Sequence, residues 1–136
     1  MNQDITDEMK MYSNQLTIAY NNYQQSFDSS QIAVHDYNDF IDEYNQMSYS
    51  RQTSSATQTK KNKKGDDVRR ESNLFIIQSN IYETQILDYL AFLEQNQDAL
   101  KKIDSEYYFK QKSILNSNLA YVRQNRISAQ STIDNL

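Results

Sequence analysis

The sequence predicts an all-α fold, either a long antiparallel coiled-coil hairpin or an elongated three-helix bundle, in one domain covering residues 1–136. Three observations carry that expectation. Apolar residues recur at three- and four-residue steps along most of the chain, the period of one helix face and not the alternation of a strand. Proline is absent and Gly65 is the only glycine, so little interrupts a helix once it has begun. The polar residues are rich in neutral amides, 14 Asn and 15 Gln, and 38% of the chain is hydrophobic. That suffices to fold an elongated body but not to close a large core alone, so burial shared with a partner is expected.

The first arm has the cleanest period. Ile5, Met9, Tyr12, Leu16, Ala19 and Tyr23 alternate by fours and threes. After a four-residue step the stripe resumes as Phe27, Ser30, Val34, Tyr37, Ile41, Tyr44 and Ser48, the pattern of a stutter, which unwinds a supercoil locally without ending the helix. Residues ~4–53 are therefore expected as one helix, about 75 Å long at 1.5 Å per residue. Its tyrosines and serines give a soft seam whose register rests on aromatic packing and hydrogen bonds.

A connection is expected over residues ~54–66. Gly65, in Lys-Lys-Asn-Lys-Lys-Gly-Asp-Asp, is the strongest turn signal, with Asp66 or Asp67 capping the next helix.

The second arm covers residues ~67–135 and opens with the most apolar stretch, Leu74 to Leu93, which is hydrophobic around more than half its circumference. Such a helix needs neighbours on more than one side. The polar run Gln95-Asn96-Gln97-Asp98 leaves two architectures open. Either the arm breaks near 96–105 and a third helix folds onto the 74–93 stretch, or it continues unbroken and buries its surplus in an oligomer or against a partner. No apolar run approaches the ~20 residues of a membrane span. With no cysteine and no Sec-type leader visible, a soluble chain is expected, cytoplasmic or exported, with its compartment left open.

Chemistry is sparse. His35 beside Asp36 is the only histidine, and consecutive helix positions do not face one another, so no catalytic pair is expected. Asp36, Asp39, Asp42 and Glu43 read as a solvated helix face, because carboxylates on one helix with no carbonyl-rich loop make a weak cation site. Residues 1–57 carry 8 acids and 2 bases, net −6, which favours a basic partner surface. Lys60, Lys61, Lys63 and Lys64, with Arg69 and Arg70, make residues 58–70 net +4, a solvated tip or a small anion-docking point. Acidic flanks on both sides make nucleic acid an unlikely partner. Glycine loops, nucleophile elbows and metal motifs are missing, so no enzyme activity, metal or cofactor is expected.

The remaining signal is contact surface. Ile77, Ile81, Ile86, Leu90 and Leu93 on the apolar stretch, with Tyr20, Tyr49, Tyr108 and Tyr121 lying off the seams, are the candidate interface residues, since tyrosine is enriched where proteins meet. The expected function is a non-enzymatic assembly subunit, as a homo-oligomer or in complex with another helical protein. The alternative is an adaptor or chaperone that holds a client on residues 74–93. In composition, the long, amide-rich, serine-rich, proline-free helices loosely resemble exported subunits and stalk-like adaptors of bacterial secretion systems, and small virion components. The Trp-x-Gly turn of type VII secretion substrates is absent.

Overall fold

The computed structural model describes residues 2–136, with side chains described from Asp4 onward. Four helices, α1 (Asn2–Asn45), α2 (Tyr49–Gln52), α3 (Ser55–Gln95) and α4 (Gln97–Asp134), make up nearly all of it, and no strand occurs among the described residues. α1 packs along one flank of α3 and α4 along the other. Both run antiparallel to α3, so the three long helices form an elongated bundle around one core. That core takes Ala19 and Tyr23 from α1, Phe75, Tyr82, Ile86, Tyr89 and Leu93 from α3, and Leu100, Tyr108, Leu115 and Val122 from α4.

The first reversal is not at Gly65. It spans residues 46–54, and α3 runs unbroken through Gly65. Residues expected to belong to the first helix, up to 53, and to the connection, up to 66, are thus redistributed. Two serines do what glycine or proline usually does. Ser48 Oγ accepts from Arg51 N at 3.3 Å and Ser54 Oγ from Thr57 N at 3.2 Å, capping α2 and α3. Glutamine amides take up the loose carbonyls: Gln52 Nε2 donates to Tyr44 O and Gln58 Nε2 to Gln52 O, both at 2.7 Å. No described residue has a positive φ, so the turn needs no glycine. Asp66 and Asp67, expected as caps, instead pair at i, i+3 with Arg69 and Arg70 at 3.0 and 3.1 Å.

Gly65 is buried where α3 crosses α1. A Cβ there would stand 3.8 Å from Tyr37 Cε2 and 3.6 Å from Arg69 Nη1, ordinary contact distances.

The α1–α3 contact alternates large and small. Tyr12 stacks with Tyr89 at 5.8 Å between ring centroids and Phe92 at 4.9 Å, and Tyr23 packs on Phe75 and Tyr82 at 5.2 and 5.1 Å. Ser79 lies between these rings, and Ser26, Ser30 and Ser72 lie beyond them toward the first reversal, all four buried and small enough to let the backbones approach. Ser26, Ser30 and Ser79 return their hydroxyls to carbonyls one turn back, at 2.7–2.8 Å, so three of these four buried hydroxyls are satisfied within their own helices.

The second reversal settles the architecture in favour of a third helix on the 74–93 stretch. It uses two breaks. At Asn96 the backbone turns to φ −114°, ψ 18°, and the side chain donates to Phe92 O at 2.9 Å. At Asp104 it is extended, φ −160°, ψ 95°, and Asp104 Oδ1 accepts from Tyr107 N at 3.0 Å, an N-cap for the rest of α4. Ion pairs then fix the register: Glu94 to Lys112 at 3.4 Å, and Glu83 to Arg123 at 2.7 Å and Arg126 at 3.2 Å. The arginines hold the Glu83 carboxyl below the usual carboxylate range, the Arg126 hydrogen bond most of all.

The last turns of α4, with Ala129 and Thr132, lie beside Ser30, Val34 and Ser72. Beyond that level α1 and α3 continue as a two-helix projection, with Ala33, Phe40, Gly65 and Val68 buried along it.

Candidate interaction surface

The residues singled out in the sequence part into two groups. Ile86, Leu93 and Tyr108 lie in the chain's own core and Leu90 packs half-buried against it. Their exposure to a partner is precluded because α1 and α4 already cover them. Tyr108 departs from the off-seam reading for a definite reason: the extended Asp104 shifts the helical phase after buried Leu100, so Tyr108, seven residues before Leu115, and not Tyr107, continues the buried line. Ile77, Ile81, Tyr20, Tyr49 and Tyr121 are exposed, Tyr49 at 81% in α2 and Tyr121 at 69% on α4.

The four lysines belong to the first turns of α3, just past the reversal. Lys60 Nζ sits 5.3 Å from the Phe40 ring and Lys61 Nζ 4.5 Å from the Tyr44 ring, cation–π contacts that lay their stems on α1. Lys64 borders a hollow shared with Asp36, Asp67, Arg70 and Glu71, so opposite charges stand beside it. Lys63 is exposed. His35 pairs with Asp39, one turn away at 3.4 Å, and not with the adjacent Asp36; both side chains are well exposed. Among the described residues no group of three or more His, Asp or Glu is placed to hold a metal ion, and none of the helices is long and apolar enough to cross a membrane.

Two exposed apolar surfaces emerge that the sequence reading did not separate. On α1, Met11, Ile18 and Ile32 fall at heptad spacing, off the seam, with Ile18 and Ile32 each 64% exposed. Exposed Leu74, Ile77 and Ile81 lie on the flank of α3 beside the same side of α1: Leu74 shares a groove with Asn22, Gln25 and Ser29. The second surface is on α4. Ile103, Tyr107, Ile114 and Tyr121 follow one another at steps of four, seven and seven, all exposed. The signal for it was the exact heptad from 107 to 121, whose exposed placement follows from the phase shift at Asp104 relative to Leu100.

At Tyr121 the α4 stripe reaches an open cleft between α1 and α4, floored by α3. Tyr20, Tyr23, Phe27, Tyr82, Asn118 and Tyr121 line about 210 Å³ of it, and Asn125 Nδ2 donates across to Tyr23 Oη at 2.8 Å, joining α1 to α4. Burial raises the phenol of Tyr23 above its ordinary pKa and pushes that of Tyr82 up to about 12; Tyr89, deeper along α3, is raised too, by burial first and then by neighbouring Tyr107. These phenols are neutral packing groups, Tyr23 with its tip hydrogen-bonded to Asn125 and Tyr89 with a buried hydroxyl that has no partner, suited to contact and not to proton transfer near neutral pH. No family model, curated protein or solved structure matches the chain.

Proposed function

We propose that the chain is a non-enzymatic helical subunit whose work is contact with another protein. The observation that carries this is the α4 stripe: Ile103, Tyr107, Ile114 and Tyr121 stay exposed on a helix whose adjoining positions, Tyr108, Leu115 and Val122, are fully occupied by the chain's own core. An isolated exposed leucine is ordinary, whereas a regular apolar and tyrosine line along a helix is a surface prepared for a partner. The compositional likeness to secretion-system and virion subunits points the same way. Holding a client on residues 74–93 is less favoured, because α1 and α4 cover Ile86 and Leu93 and leave only Leu74, Ile77, Ile81 and Leu87 of that stretch's large apolar residues exposed.

The test combines solution mass with cross-linking in the native extract. A mass above the 16.1 kDa of one chain, or a stable cross-linked complex with a defined protein, is expected. A monomer from micromolar to millimolar concentration that cross-links to nothing removes the proposal.

A further inference from the structure

We infer that the partner of the α4 stripe is a second copy of this chain, packed antiparallel about a two-fold axis through Ile114. This rests on the assembly reading above and gives it a surface and an occupant.

Three features favour a second copy. First, the stripe is its own complement. Tyr107, Ile114 and Tyr121 lie seven residues apart and are exposed, so an antiparallel helix centred on Ile114 sets Tyr107 against Tyr121 of the other copy and Ile114 against itself. A two-fold interface requires this self-matching pattern. The same centring sets Lys110 opposite Asn118 and Asp104 opposite Gln124 of the other copy, so neither nearby charge meets its like.

Second, the face selects against a charged partner. Ile114, Ser117, Asn118, Tyr121 and Asn125 on α4, with Tyr20 and Gln24 across the cleft, form an uncharged half of this face, the other half carrying one acid, Asp104, and one base, Lys110, whereas α1 as a whole has 8 acids against one base over residues 2–45. Charge depletion with tyrosine enrichment marks the centre of an interface, and two such faces meet without the repulsion that two α1 surfaces would suffer.

Third, the area is adequate. Ile103, Tyr107, Ile114, Tyr121 and Tyr20 are exposed by 40–69%. With about 150–250 Å² for a large side chain, they offer on the order of 500 Å² per copy, about 1,000 Å² for the pair before any polar rim is added, which meets the lower limit for a biological interface. The α4 of one copy would enter the α1–α4 cleft of the other.

The chain has no cysteine, which makes the test direct. Wild type is expected to dimerise by sedimentation. Tyr121→Glu, at an exposed position, should keep its helicity by circular dichroism and weaken dimerisation at least tenfold. Under mild oxidation Ile114→Cys should give a disulfide-linked dimer. Tyr107→Cys should link to Tyr121→Cys when the two are mixed but not to itself, and Ile18→Cys on the other face should form no disulfide-linked species. A dimer indifferent to Tyr121→Glu, or one in which Ile114→Cys does not link, overturns the α4 pairing and leaves the assembly role standing. A wild-type monomer at millimolar concentration overturns the pairing, and the extract cross-links then decide the assembly role separately.

Discussion

Gly65 shows how one residue type carries opposite meanings. Read in sequence it is a turn; in the structure it is a helical residue near Tyr37, with room for a methyl group at ordinary contact distance. Gly65→Ala should therefore stabilise the fold by about 0.5–1 kcal/mol, the glycine penalty within a helix, measured as a higher urea midpoint. A loss of stability would return Gly65 to the role of a breaker. The buried tyrosines give a second prediction. An unfolded phenol ionises near its ordinary value of 10, whereas Tyr82 is pushed up to about 12 and Tyr23 and Tyr89 are also raised. The folded state thus holds these protons more tightly. The associated stability is complete below pH ~10 and is lost as pH rises from there through 12. Denaturation midpoints should fall over that window, and Tyr82→Phe should make the fall shallower. Tyrosines that all titrate near 10 while the helices persist would contradict this.

At the scale of elements, the long helices and their α1 seam were legible because a 3.6-residue period over forty residues leaves little alternative. Ile5, Met9, Tyr12, Leu16 and Phe27 all pack on the core as that stripe requires. The reversals were not legible at the right places. Ser48, Ser54, Gln52 and Gln58 act as caps only through side-chain bonds to particular backbone groups, and a chain rich in serine and glutamine offers many equivalent candidates. The surface on α4 was half legible for a related reason. Asp104 resets the phase of the stripe, and before that reset is known Tyr108 reads as exposed when it is buried. Asp104 is then the element to test. Asp104→Ala removes the cap on Tyr107 N and should cost about 0.5–2 kcal/mol, while Asp104→Asn should recover most of it, since asparagine caps nearly as well; chemical denaturation of both reads the difference. Equal stabilities for Ala and Asn would mean that the kink is held by packing alone.

The molecule as a whole is three helices thick over most of its length and two helices thick at the projection. Buried apolar contact is therefore graded from one end to the other. Local opening follows contact density, so amide hydrogen exchange should be slowest along residues 75–93, which face both α1 and α4, and fastest over residues 46–62. Uniform protection would show that the projection is as firmly held as the bundle. The central position of α3 also orders assembly in time. Each neighbour can close from its own turn outward, beginning with short loops such as the 14 residues between Tyr44 and Gln58 or the 18 between Glu94 and Lys112, because short loops cost least to close. The Tyr23–Asn125 hydrogen bond spans 102 residues and joins two helices that have no turn in common. It is expected to form only after both hairpins have zipped, a latch on the finished fold, so Asn125→Ala should speed unfolding and leave the folding rate unchanged.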